Sequence, residues 1–392
     1  MIRSKIEQCF AILEEKGIDM WLIFCRESEA FADPSLDLVV GSGCTWQSAF
    51  IFTRSGKATA IVGNLDQAHV EGLGHFDEVK GYVTGIGDTL RAAFRDIDPK
   101  SFAINTSVND YMSDGLTHGM YGLLMQYLEG TPYGDRWISS EGLMAALRGR
   151  KTRTELDRIA AAVDLTEDIY SRVTGILKPG MTEKEVAAFI LGEVKKEGVV
   201  TAWEREMCPA VFTGPDSAGA HCGPTDRVIE RGHIMNIDFG VKKDDFCSDI
   251  QRTWYFLREG ETEAPEVVRS AFNTIIEAIN VTAETIRPGM TGLEVDTLCR
   301  EYITSRGYEE YPHATGHQVG RSTHDGAAIL APAWERYGEV PSMKIEEGQV
   351  YTIEPRIPVP GHGVATMEEI IAVTADGSEW LSRPQTGLFY VS

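Results

Sequence analysis

Hydrophobic and polar positions divide the chain into two differently patterned parts. Residues 2–17 place Ile2, Ile6, Phe10 and Leu13 on one helical stripe. A short strand runs from Asp19 to Phe24. Ala49–Phe52 and Ala58–Val62 then form a hairpin around the turn Arg54-Ser-Gly-Lys57. A helix near Asp88–Phe94, a strand over Phe102–Ile104 and a helix over Tyr111–Leu128 complete a mixed α/β region. The chain turns basic at Leu147-Arg-Gly-Arg-Lys-Thr and enters a long helix from Thr154. This change sets a boundary that gives domains 1–150 and 151–392.

The second part carries an internal repeat. Leu177-Lys-Pro-Gly-Met-Thr182 recurs as Ile286-Arg-Pro-Gly-Met-Thr291, and at the same spacing Glu185 matches Glu294 and Gly198 matches Gly307. Each copy reads as a long helix, a Pro-Gly break, a threonine N-cap and an amphipathic helix ending at glycine. The duplication predicts two similar units packed about a pseudo-two-fold axis.

Each copy leads into a hairpin that carries two acids. Apolar, β-prone runs flank Lys242-Lys-Asp-Asp245, and a turn centred between Lys243 and Asp244 sets Asp238 directly across from Asp249. In the second copy a turn centred on Gly361 sets Glu354 across from Glu368. Directly opposed like charges destabilise a strand pair. Two such pairs of one design therefore call for cations between the carboxylates.

Composition narrows the partners. At 392 residues with 43% hydrophobic and 24% charged content, the chain suits a two-domain globular protein. A formal charge of −22 disfavours nucleic acid and anionic membrane surfaces. No apolar run is long enough to span a bilayer, and the N-terminal segment does not read as a signal peptide. Seven cysteines without a Cys-x-x-Cys pair argue for a reducing, cytoplasmic setting. Cys222 and Cys247 read as small packing residues. His69, His75 and His118 lack neighbouring acids at ligand spacing and read as ordinary histidines.

Three histidines, His313, His317 and His324, lie within twelve residues of the second copy, among glycines at 316 and 320. A neutral imidazole would complete a carboxylate-rich metal site, although spacing alone does not select which of them binds. The ordered set Asp238, Asp249, His317, Glu354 and Glu368 resembles the five-ligand pattern of the pita-bread metallopeptidases, in particular prolidase and aminopeptidase P. The contexts Ile-Asp-Phe-Gly, Ser-Asp-Ile-Gln-Arg-Thr, Gly-His-x-x-Gly and Thr-Ile-Glu-Pro carry the resemblance, as does Phe212-Thr-Gly-Pro-Asp-Ser-Ala-Gly-Ala-His221.

The resemblance implies a mixed α/β, creatinase-like N-terminal domain, followed by a duplicated pita-bread catalytic domain. It implies a peptidase acting at Xaa-Pro bonds of short peptides, with two divalent ions. Manganese is the first choice, with cobalt, zinc and iron as alternatives. Asp238 and Asp249 would hold one ion, Asp249 and Glu368 would bridge, and His317 and Glu354 would complete the second. The attacking species would be a metal-bridging hydroxide, with Glu354 shuttling its proton. His221 and His324 match catalytic positions, and His313 matches a substrate-side histidine. A homodimer is also implied.

The chain departs from the proline-specific pattern in three places. Thr366 stands where an arginine is usual, Asp325-Gly-Ala follows His324 in place of Glu-x-Pro, and Glu354-Pro-Arg356 replaces Glu-Pro-Gly. These leave the donor set whole and bear on the substrate. The alternatives are a creatinase-like hydrolase or lyase of a small non-peptide molecule, and a non-catalytic binding module.

Overall fold

Apolar segments of the first 149 residues pair into one sheet. Its strands are Met20–Cys25 (β1), Ser48–Thr53 (β2), Ala58–Gly63 (β3), Glu78–Tyr82 (β4), Phe102–Ile104 (β5) and Trp137–Ser139 (β6), in the order β4-β3-β2-β1-β5-β6. The β1–β2 and β2–β3 pairs are antiparallel, and the other three are parallel. β1, β2 and β3 are buried along their whole length. This is the continuous apolar pattern of a sheet covered on both faces. Two apolar clusters cover it, one including Ile6, Leu13 and Trp21 and the other Leu22, Phe94 and Leu124. The helix expected over 111–128 is instead a turn of 3-10 helix at Tyr111–Ser113 and a helix at His118–Leu128. Thr117 caps the second piece through its side chain, so helix begins there and Asp114–Gly115 remain outside it.

The computed structural model describes residues 1–217 and 222–392, and its chain divides into two compact units, Met1–Gly149 and Arg150–Ser392. The second unit contains the repeat. Thr182 and Thr291 each close a reciprocal capping box, with Glu185 and Glu294 respectively. Gly180 and Gly289, just before them, have φ of 91° and 92°. Gly180 N–H donates to the Ile229 carbonyl, and Ile229 N–H donates to the Met181 carbonyl. Gly289, Ile345 and Met290 make the same two bonds in the second copy. Ile229 precedes Asp238 by the interval at which Ile345 precedes Glu354, so the repeat reaches into both acidic hairpins.

The hairpin strands of this unit are Val200–Thr201 (β7), Ala210–Thr213 (β8), Ile234–Phe239 (β9), Val241–Lys243 (β10), Phe246–Cys247 (β11) and Ile250–Phe256 (β12). They are followed by Val350–Ile353 (β13), Arg356–Val359 (β14), Gly363–Thr366 (β15), Glu369–Val373 (β16), Ser378–Trp380 (β17) and Phe389–Val391 (β18). They form sheets β18-β12-β9-β8, β11-β10-β7, β13-β16-β17 and β14-β15. Helix Glu266–Thr285 buries Val268, Phe272, Ile275 and Ile279 in a core shared with Tyr351, Ile357, Ala365 and Ile371 of the second hairpin.

Candidate metal centre

The first acidic hairpin corrects the expected register. Lys242 pairs with Cys247 and Lys243 with Phe246, so Asp244 and Asp245 form the two-residue turn. Both have positive φ, 49° and 69°, which is the backbone of a type I′ hairpin. Asp238 therefore faces Gln251 and not Asp249. Asp249 immediately precedes β12, two residues before Gln251, which makes it a diagonal neighbour of Asp238. The two carboxyls still meet through their side chains. A Cβ on Gly240 would lie 1.9 Å from the Ser248 carbonyl oxygen, so only glycine lets the strands close at this point.

The second hairpin has the expected register. Ile353 pairs with Glu369 and Arg356 with Thr366 in one continuous frame. Glu354 and Glu368 face each other in the short gap between the two ladders.

The histidine segment lies along β13. His317 N–H donates to Thr352 Oγ1 at 3.1 Å, and Thr352 N–H returns a bond to the His317 carbonyl at 2.9 Å. Gly316 permits the approach, since a Cβ there would lie 1.9 Å from the Thr352 carbonyl oxygen. His317 Nδ1 lies 3.2 Å from the Gln318 carbonyl. With the proton on Nδ1, Nε2 is the ring atom that could ligate a metal. Nε2 lies 3.5 Å from Asp249 Oδ2 and 3.5 Å from Glu354 Oε1. Donor atoms of Asp249, His317 and Glu368 all fall within 4.8 Å of one another.

The electrostatics of this cluster are unfavourable without cations. Burial pushes the Asp238 carboxyl up to about 7. Asp249, Glu354 and Glu368 are pushed well above the carboxylate range, first by burial and then by neighbouring acids. Asp238 Oδ1 and both Glu368 oxygens are buried without a hydrogen-bond donor among the described residues. An unsatisfied buried acceptor costs about 1–3 kcal/mol, and more when charged. Three such oxygens converge here beside the His317 imidazole. Hard oxygen donors with one nitrogen suit divalent ions of the manganese, iron, cobalt and zinc group, so the residues present fit the implied metal.

His324 packs edge-on against His317, with ring centroids 4.2 Å apart. His313 Nδ1 lies 2.8 Å from the Ala314 carbonyl, and its ring packs against Tyr311 at 5.2 Å. His221 lies outside the described residues. Cys247 is buried and bonds the Arg321 carbonyl, whereas Cys222 is exposed, against the packing role expected of it. Asp325 is only 2% exposed and pairs with Lys151 Nζ at 2.8 Å, so this departure from the proline-specific pattern has a structural partner.

Other supports had no signal in the sequence. The Tyr170 hydroxyl lies 3.0 Å from the Ile237 carbonyl and 2.6 Å from the Ile250 carbonyl, each beside a site aspartate. Arg252 bonds the Glu368 carbonyl and the Glu369 carboxylate, which fixes the strand behind Glu368.

Comparison with known proteins places this architecture among the pita-bread prolidases and aminopeptidases P. The metallopeptidase family M24 model matches residues 157–375, and the chain belongs to that family. It is similar to the Xaa-Pro dipeptidase from Bacillus anthracis, with TM-score 0.75 and 25% identity over 100% of both chains. It also resembles the X-Pro aminopeptidase from Thermotoga maritima MSB8, with TM-score 0.72 and 23% identity over 98% of this chain and 99% of that one. A Mycoplasma genitalium protein provisionally named Xaa-Pro aminopeptidase is 29% identical over 340 residues, 85% of this chain and 88% of its own. Membership implies divalent metal and a peptide substrate. No helix among the described residues is long and apolar enough to cross a membrane.

Proposed function

We propose that this protein removes N-terminal residues from short peptides, acting at Xaa-Pro bonds as a prolidase or aminopeptidase P, with two divalent ions in its C-terminal domain. The observation that carries the reading is the convergence of Asp249, His317 and Glu368 donor atoms within 4.8 Å, beside carboxylate oxygens that lack donors among the described residues. The whole reading assigns residues 1–150 to a creatinase-like domain and 151–392 to the catalytic domain, in a cytoplasmic homodimer, with manganese as the first metal to test.

Asp238 and Asp249 would hold one ion and His317 and Glu354 the other, with Asp249 and Glu368 shared. When bound, such an ion pair supplies a strongly acidified water and polarises the peptide carbonyl. The protein's own groups do the rest. Glu354 accepts a proton from the attacking water on its carboxylate and passes it to the departing amine. His324, held against His317, donates toward the carbonyl oxygen as negative charge develops there. His221 shares that task, and His313 contacts the substrate. Burial of the acids excludes bulk water from these transfers.

The complete donor set and the family match favour a peptidase over a binding module or a metal-independent relative. The test is a panel of Xaa-Pro dipeptides, Xaa-Pro-Xaa tripeptides, Met-Xaa peptides and creatine, with manganese added. Cleavage of Xaa-Pro bonds supports the reading. Turnover of creatine alone, or of no panel member, overturns it.

A further inference from the structure

Arg356 stands directly across from Thr366, one rung beyond the facing pair Glu354 and Glu368. Strand alternation puts Glu354 and Arg356 on one face, with Glu368 and Thr366 opposite them on that same face. Two of the three departures from the proline-specific pattern are therefore cross-strand partners. Where that pattern has glycine facing arginine, this chain has arginine facing threonine.

The guanidinium is half-buried, and its Nε has no hydrogen-bond partner among the described residues. The Thr366 hydroxyl is engaged elsewhere, 3.1 Å from Gln251 Oε1 and 3.1 Å from the Pro355 carbonyl. A buried guanidinium N–H without an acceptor is costly to keep. A carboxylate is the group whose geometry matches a guanidinium fork, through two parallel hydrogen bonds. Successive rungs on one face lie roughly 6.6 Å apart. Each extended peptide residue spans ~3.3–3.6 Å, so a carboxylate one or two residues beyond the cleaved bond falls at that spacing.

We infer that Arg356 is a specificity-determining residue that receives a carboxylate of the peptide substrate. The inference rests on the peptidase reading above. The carboxylate has two possible sources, the C-terminus of a short peptide and an acidic side chain.

The test measures kcat/KM for the metal-loaded full chain on matched Xaa-Pro-Xaa peptides. One set compares the free acid with the C-terminal amide. The other compares amides carrying aspartate or glycine at the third position. The wild-type protein is expected to prefer the carboxylate-bearing member of at least one set by about tenfold or more. Preference in the first set identifies the terminal carboxylate, and preference in the second identifies the side chain. Arg356→Gln should bring that ratio close to one, and Arg356→Lys should keep part of it. If the glutamine variant does not fold, the wild-type ratio decides, together with its decline as salt rises. An unchanged ratio in a folded Arg356→Gln, or no preference in the wild type, overturns the inference. Cleavage of the amides would leave the peptidase reading standing in either case. Absence of cleavage of every peptide overturns both.

Discussion

The imidazoles of His317 and His324 meet edge to face, with centroids 4.2 Å apart and planes at 86°. His317 also lies 3.5 Å from two acids of the cluster, and the proposed function gives it the ligand's place and His324 the catalytic one. His324→Ala should lower kcat by ~10²–10⁴ while metal content stays at the wild-type level. Elemental analysis alongside turnover checks this. Loss of metal in that variant would reverse the two assignments.

Asp249 belongs to the donor group that falls within 4.8 Å and, one residue before β12, meets the Asp238 side chain. Asp249→Ala should abolish hydrolysis and lower bound metal, because in the proposed arrangement one carboxylate serves both ions. Full activity in this variant, measured on an Xaa-Pro peptide, rules out the shared-ligand arrangement.

The raised carboxyls give a pH dependence of definite sign. Asp238 moves up to about 7 in the folded, metal-free protein, from a usual value of ~3.9. A group raised on folding contributes stability that is complete below its unfolded pKa. That contribution is lost as pH rises through the folded value. The chelated protein should therefore melt at a lower temperature at pH 8 than at pH 5. Metal binding should release protons, and its apparent affinity should rise over the same range. Titration calorimetry in two buffers of different ionisation enthalpy measures the release.

Arg252 is 4% exposed and Glu369 0%. Arg252→Met would leave a carboxylate buried without its main cation and should cost about 3–5 kcal/mol in denaturant unfolding. Breaking the exposed Lys184–Asp226 pair, with side chains 56% and 82% exposed, should cost no more than about 1 kcal/mol.

These residues also show what the sequence could reveal. Glu354 and Glu368 were legible as partners because Gly361, with φ 77°, marks a single turn position. The first hairpin slipped because Lys242-Lys-Asp-Asp245 offers several adjacent turn centres. Positive φ at both aspartates chooses among them, and composition does not state it. The threonine N-caps at Thr182 and Thr291 were legible because they are local. Tyr170 and Arg252 were not, because their partners lie tens of residues away in the chain and their own neighbourhoods resemble any buried helix or strand.

The most direct test of a two-ion peptidase is an activity titration. Chelated protein is given manganese in measured equivalents, and cleavage of an Xaa-Pro-Xaa peptide is followed. The proposed function predicts negligible cleavage without metal and a rise that saturates near two equivalents per chain. Undiminished cleavage after chelation, or saturation at one equivalent, would contradict it.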